Sequence, residues 1–114
     1  MKRKDAQLIA DIKEYLDDHL YQEHPIADLC RRFSINREKL QVGFHELTQS
    51  TVHAYIIHQR IEKAATRLIE TEDSIKAIAM DSGYKKQRSF NKTFKSIFRL
   101  TPATYRKLHQ QDLN

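Results

Sequence analysis

One pattern of helix-forming residues occurs twice in this chain, about 50 residues apart. Each copy has a short apolar helix, a tight turn, a longer helix with large apolar residues, and a threonine that can cap a following helix. The matching positions are Ile26 and Ile75, Leu29 and Ile78, Cys30 and Ala79, Leu40 and Phe90, Phe44 and Phe94, and the segments 51–55 and 101–105. The duplication predicts two helix-turn-helix units.

The composition favours an all-α fold, because 114 residues with only two glycines and two prolines offer little material for β-hairpins. Asn36 and Ser74 are predicted helix caps, and Pro25 and Pro102 are predicted first helical residues. Gly83 is predicted to take a positive φ in the turn of the second copy. The pattern gives seven helices, near residues 5–20, 25–33, 37–48, 52–70, 75–82, 86–98 and 102–110.

The helix order predicts three parts: an N-terminal helix-turn-helix lobe at 1–50, a linker helix at 51–70 and a C-terminal helix-turn-helix lobe at 71–114. We expect each lobe to be a three-helix unit of homeodomain type. A linker of roughly 19 residues spans about 28 Å. Successive major-groove faces of B-DNA lie about 34 Å apart. We therefore expect two recognition helices that reach successive major grooves on one side of double-stranded DNA.

The net charge of +5 is unevenly distributed. Residues 83–107 contain eight cations and no acid, whereas residues 1–82 contain twelve cations and fourteen acids, a net charge of −2. A basic block on a near-neutral body indicates a polyanionic partner. An ordinary solvated helix face is the alternative interpretation of the same charges.

The sequence resembles the DNA-binding domain of the AraC/XylS family of bacterial transcription regulators over about residues 5–107. The most specific segment runs from Ser74 to Ala79 and continues with Gly83-Tyr84, Phe90, Phe94, Phe98, Thr101-Pro102 and Tyr105-Arg106. The linker matches through Tyr55-Ile56, Arg60-Ile61, Ala64-Ala65 and Leu68-Ile69. Where the family usually has glycine after each recognition helix, this chain has Gln49 and Arg99.

The resemblance implies a cytoplasmic transcription regulator, with activation as the expected mode, that contacts RNA polymerase. Many members of the family carry an additional effector-binding or dimerisation domain, and others consist of the DNA-binding domain alone. The resemblance therefore leaves open an effector or dimerisation domain outside this chain. It implies neither a cofactor nor a metal ion.

A helical wheel combined with the resemblance predicts the side chains that contact DNA. The predicted base contacts are Arg37, Glu38, Gln41, Val42 and His45 on the third helix, and Gln87, Arg88, Asn91 and Lys92 on the sixth. The predicted phosphate contacts are Thr51, Ser74, Lys85, Lys86, Lys95, Arg99 and Thr101. Plain helix capping is the alternative role of the three hydroxyl residues. The predicted buried faces carry Leu40, Phe44 and Leu47 on the third helix, and Phe90, Phe94, Ile97 and Phe98 on the sixth.

Other classes of function have less support. The six histidines lack the spacing of metal ligands, and the sequence has neither a glycine-rich phosphate loop nor a nucleophile elbow, so we do not expect an enzyme. Cys30 is expected to be a small buried residue rather than a redox sensor. No apolar run approaches the roughly 20 residues of a membrane span. A basic helical module that binds RNA or an acidic protein is the alternative function.

Overall fold

The structure, a computed structural model, describes residues 2–112, and over this range it is all-α with seven helices. The predicted fold class is confirmed, and each predicted helix end lies within two residues of the observed one. The helices are α1 (Arg3–Asp18), α2 (Ile26–Phe33), α3 (Arg37–Thr48), α4 (Val52–Glu70), α5 (Ile75–Asp81), α6 (Gln87–Phe98) and α7 (Pro102–Asp112).

The predicted caps form. The Asn36 side chain accepts a hydrogen bond from the Lys39 amide at 2.8 Å, and the Ser74 hydroxyl accepts one from the Ala77 amide at 3.0 Å. Each satisfies an amide that would otherwise lack a partner in the first turn of its helix. Pro25 differs from the prediction, because it caps α2 instead of beginning it. Its backbone is extended, with ψ of 140°, and its carbonyl accepts the first hydrogen bonds of the helix.

The chain divides into two compact units, residues 1–57 and 58–114. Helix α4 contributes residues 52–57 to the first unit and its remaining residues to the second. Each unit contains one copy of the duplicated helix-turn-helix pattern, α2 and α3 in the first and α5 and α6 in the second.

The first unit has an aliphatic core. Helix α1 presents one apolar stripe at helical spacing, and this stripe packs with residues of α2, α3 and the start of α4. Burial of each large aliphatic side chain stabilises the fold by roughly 1.5–3 kcal/mol relative to exposure. The fully or nearly fully buried members are Ile9, Ile12, Leu16, Leu20, Leu29, Ile35, Leu40, Phe44, Val52, Tyr55 and Ile56.

The second unit has an aromatic core. Phe90 and Phe94 of α6 are completely buried, and the ring of Tyr105 on α7 meets that of Phe94 edge to face, with centroids 5.3 Å apart. Phe98 stacks on Phe94 at 4.8 Å. Phe98 and Ile97 are only half-buried, which corrects the prediction of a fully buried face, because they lie in the last turn of α6, at the edge of the core. Buried residues of α4 and α5 complete the core of the second unit: Ile61, Ala64, Ala65, Leu68, Ile78 and Ala79.

The turn of each helix-turn-helix unit uses left-handed backbone geometry. Gly83 has φ of +99°, as predicted, and a Cβ at this position would lie 3.4 Å from Arg60 Nη1. In the first unit Ser34 takes the corresponding role with φ of 50° and ψ of 50°. The shared geometry fixes how the chain leaves the first helix of each unit and enters the second.

Candidate nucleic-acid interface

Helix α3 exposes one continuous polar face. The residues predicted there to contact bases all lie on the surface of the first unit: Arg37, Glu38, Gln41, Val42 and His45. Val42 is 54% exposed. An exposed methyl-bearing side chain among polar groups suits contact with the thymine methyl group.

Leu47 is not part of the core of the first unit, contrary to the sequence prediction. It remains 44% exposed, although the helical wheel places it beside the buried Leu40 and Phe44. Leu47 lies in the last turn of α3, where the neighbouring elements no longer cover that side of the helix. A wheel assumes that burial is uniform along a helix, and the end of a helix in a small unit violates that assumption.

Helix α6 separates its core face from its charged face. Phe90 and Phe94 point into the second unit, whereas Gln87, Arg88 and Lys92 are exposed. Lys95 and Arg99 are exposed in the last turn and at the C-cap, and Lys85 and Lys86 are exposed just before the first turn. None of the six cations at 85–99 forms an ion pair with an acidic side chain of the described residues. These charges are available to an external anion.

Asn91 departs from the outward orientation expected for it. The residue is half-buried, and its Oδ1 is buried with no hydrogen-bond partner among the described residues. The side chain therefore lies at the border between the core face and the charged face of α6. A buried amide oxygen without a partner costs free energy, about 1–3 kcal/mol in mutational series.

Two arginines of the second unit have structural roles. Arg106, one of the eight cations of the basic block, donates hydrogen bonds to the carbonyl oxygens of Leu68 at 2.9 Å and Thr71 at 3.3 Å. It thereby satisfies carbonyl groups at the C-terminal end of α4. Arg67 pairs with Asp81 at 2.7 Å and with Asp73 at 3.0 Å, and these two carboxylates raise its pKa.

The three hydroxyl residues predicted to contact phosphate all cap helices. Thr51 Oγ1 accepts from the Ala54 amide at 3.0 Å, and Thr101 Oγ1 accepts from the Thr104 amide at 3.2 Å. Ser74 caps α5 in the same way. Their hydroxyl oxygens therefore already have backbone partners, and Thr101 Oγ1 also donates to Thr104 Oγ1 at 3.0 Å. A phosphate would contact the hydroxyl hydrogens of Thr51 and Ser74, or the remaining free amides at the three helix ends.

Both recognition helices end in the left-handed conformation that glycine usually supplies. Gln49 has φ of 60° and Arg99 has φ of 65°, and each donates its amide to the carbonyl four residues earlier at 2.8 Å. The departure from glycine therefore leaves the cap geometry intact. It introduces a steric cost at both positions, because a Cβ is disfavoured there.

Residues 2–112 include no helix long and apolar enough to cross a membrane. Cys30 is half-buried against the core of the first unit. Taken together, two helix-turn-helix units that each expose the second helix, one of them strongly cationic, define a DNA-binding protein of the helix-turn-helix class.

Comparisons with known proteins give the family. A family model described as a helix-turn-helix domain matches residues 29–108. The chain is 35% identical over 100 residues to the regulatory protein SoxS of Salmonella typhimurium. The aligned region covers 88% of this chain and 94% of SoxS. The structure is similar to the DNA-binding domain of AdpA, a global transcriptional factor solved in complex with a target DNA. The TM-score is 0.81 at 22% sequence identity, and the match covers 91% of this chain and 94% of that one.

A regulator with an AraC-type DNA-binding domain from Chromobacterium violaceum has the same fold, with a TM-score of 0.84 at 18% identity over 96% of this chain and 98% of that one. The chain therefore belongs to the AraC/XylS family of helix-turn-helix transcription regulators, which are DNA-binding proteins and not enzymes.

Proposed function

We propose that this regulator reads a specific duplex sequence by placing α3 and α6 in successive major grooves. The observation that carries this proposal is the pair of exposed recognition helices, one in each unit, each seated on a core that leaves its polar face open. A recognition helix of this motif contacts base edges mainly through residues of its first turns.

The two helices have different chemical roles in this proposal. Helix α3 reads bases through short and neutral groups: Gln41 pairs with adenine, Glu38 accepts from the cytosine amino group and Val42 contacts a thymine methyl. Arg37 and His45 flank these positions. Helix α6 combines base contacts with most of the electrostatic attraction to phosphate.

On α6 the base-reading residues are Gln87, Arg88 and Lys92, with Asn91 as a contributor through its amide nitrogen. Arg88 is suited to guanine, because its guanidinium can donate two hydrogen bonds to O6 and N7. The proposed phosphate contacts are Lys85, Lys86, Lys95 and Arg99, together with the helix starts at Thr51, Ser74 and Thr101.

At a promoter, we propose that the bound protein activates transcription through a contact with RNA polymerase, and that it does so in the cytoplasm. The proposal rests on family membership and on the similarity to SoxS, a regulatory protein. An effector or dimerisation domain outside this chain would add control without changing the DNA contacts.

A titration against three polyanions tests the proposal. The protein is titrated with random-sequence duplex DNA, single-stranded RNA and heparin at equal concentration of anionic groups, and bound duplexes are then selected and sequenced. We expect tighter binding to duplex DNA and a selected site with two conserved segments. Preference for RNA, or binding to heparin with equal strength, would favour the basic interaction module instead.

A further inference from the structure

A second group of cations lies in the first unit, outside the basic block of α6. Lys2, Arg3 and Lys4 are exposed at the start of α1 and line an open groove of about 1040 Å³ together with Lys39 of α3 and Ser34. We call Lys2, Arg3, Lys4 and Lys39 the α1–α3 cationic cluster. None of the four forms an ion pair with an acidic side chain of the described residues.

The cluster lies directly beside the recognition helix of the first unit. Ser34 occupies the left-handed turn between α2 and α3, and Lys39 is in the first turn of α3. Lys39 neighbours the exposed Val42 at helical spacing, so it flanks the face that carries the proposed base contacts. The α1–α3 cationic cluster therefore lies beside the first turn of α3, and the acidic Glu46 follows Lys39 on the same side of the helix.

Helix stability does not explain the three cations at the start of α1. The N-terminal end of a helix carries a partial positive charge, which disfavours lysine and arginine there. Lys2 makes no side-chain cap, and Asp5 is the acidic residue of the first turn. The charges also repel one another. Such a cluster is expected where an external anion compensates for its cost.

We propose that the α1–α3 cationic cluster binds the phosphate backbone of the duplex beside α3, as a second electrostatic contact independent of α6. A helix inserted in a major groove about 12 Å wide has a sugar-phosphate strand along each flank, so cations on the flank of α3 meet phosphate. Asp5 and Asp11 also line the groove, and Asp11 accepts a hydrogen bond from Gln7 at 2.9 Å. Four cations against two acids leave the groove positive. This inference rests on the proposed function.

The test compares the complete chain with a triple variant, Lys2→Gln, Arg3→Gln and Lys4→Gln, by anisotropy titration of the selected duplex at several salt concentrations. We expect the slope of log K against log salt to flatten by about two to three units, and affinity at low salt to fall about tenfold or more. Lys39→Gln should flatten the slope by about one unit. Base preference should be unchanged, because phosphate contacts carry no sequence information.

Two further measurements separate this role from a structural one. The unfolding midpoint of the triple variant should equal or exceed that of the wild type, because the replaced charges oppose the helix dipole. The matched control is Lys13→Gln, a cation ten residues along the same helix, about 15 Å away, that is already paired with Asp17. It should leave the slope unchanged.

The outcomes distinguish the two proposals. An unchanged slope in the triple variant, together with a flatter slope in Lys95→Ala, would reject the α1–α3 cationic cluster and leave the proposed function intact. A triple variant with altered base preference would also reject the phosphate role. Absence of duplex binding by the wild type would overturn both proposals.

Discussion

Two tyrosines at matching positions of the duplicated pattern have different surroundings. The Tyr55 hydroxyl donates a 2.5 Å hydrogen bond to Asp17, which also pairs with Lys13 at 3.2 Å, and this network ties α4 to α1 within the first unit. Both tyrosine rings meet the matching phenylalanine edge to face at 5.3 Å, Tyr55 with Phe44 and Tyr105 with Phe94, but the Tyr105 hydroxyl forms no hydrogen bond with a described residue. In the first unit the tyrosine therefore adds a polar link to its ring packing, whereas in the second it contributes ring packing alone.

Tyr55→Phe should lower the free energy of unfolding by about 0.5–1.5 kcal/mol at neutral pH, because it removes a hydrogen bond and leaves the ring in place. Tyr105→Phe is the matched control and should cost less. Urea unfolding followed by circular dichroism measures both. Equal costs at the two positions would show that the Asp17 link adds nothing to stability.

The same network predicts that the free energy of unfolding falls at alkaline pH. Burial raises the pKa of Tyr55, with a further contribution from Asp17, and the hydrogen bond from Lys13 to Asp17 raises the pKa of Lys13. For groups with a raised pKa, the stabilisation is complete below the unfolded pKa, near 10, and is lost as the pH rises through the folded pKa. The wild type should therefore lose more stability above pH 10 than Tyr55→Phe does.

Arg88 provides a test of base recognition at a single side chain. Arg88→Ala should cost about 1–3 kcal/mol of binding at one base position and relax the preference there, because the guanidinium no longer pairs with guanine. The duplexes that the variant and the wild type each bind are selected from a random pool and sequenced, and the base preferences at each position are compared. A selected site identical to that of the wild type would reject the base contact.

At the scale of the helix, the ends of α3 and α6 carry a steric cost in the backbone. Gln49 and Arg99 adopt left-handed geometry without being glycine. The structure retains these caps because the chain must turn sharply to reach α4 and α7. The strain of roughly 1–2 kcal/mol for a residue with a Cβ is borne by the packing of each unit.

Gln49→Gly should raise the free energy of unfolding by about 0.5–1 kcal/mol, because removal of the Cβ strain outweighs both the added entropy of the unfolded chain and the loss of the exposed side-chain hydrogen bond of Gln49. The control is Gln49→Ala, which keeps the strain and loses the hydrogen bond from Gln49 Nε2 to the Glu46 carbonyl oxygen at 3.0 Å, and it should not stabilise. Urea unfolding of both variants measures the difference. A gain from alanine as large as that from glycine would contradict the strain argument.

The charged face of α6 gives a second prediction at this scale. Lys95→Ala should weaken binding to all duplex sequences alike and flatten the slope of log K against log salt by about one unit, since one phosphate contact is lost. Lys63→Ala, which removes an exposed lysine from α4, provides a charge-matched comparison. An unaltered slope in Lys95→Ala would exclude a phosphate contact by this residue.

At the scale of the whole molecule, one polypeptide carries two recognition helices. Each is proposed to read one half-site of the DNA, so the spacing between the two half-sites can be tested. Half-sites read by helices in successive major grooves lie about 10–10.5 base pairs apart. Insertion of five base pairs between them should reduce the affinity about tenfold or more, toward that of a single unit, because the second half-site is rotated to the opposite face of the duplex. Competition titrations with the original and the lengthened site measure this, and binding that ignores the spacing would contradict the two-groove proposal.

Much of the fold could be predicted from the sequence, because its determinants are local. Asn36 and Ser74 cap their own helices three residues away, Gly83 fixes its own turn, and apolar spacing identifies the helices. The duplication then fixed the number and type of units. For the same reason, the exposed charges of α6 could be predicted from the helical wheel alone.

Only the tertiary structure decided the features that depend on distant partners. Arg106 belongs to the basic block in sequence, yet its guanidinium binds carbonyl groups 35 and 38 residues away. The exposure of Leu47, the half-buried Asn91 and the α1–α3 cationic cluster likewise follow from where neighbouring elements end or meet. Helical periodicity carries information over about four residues, whereas burial and pairing across a unit are set by packing between segments far apart in the chain.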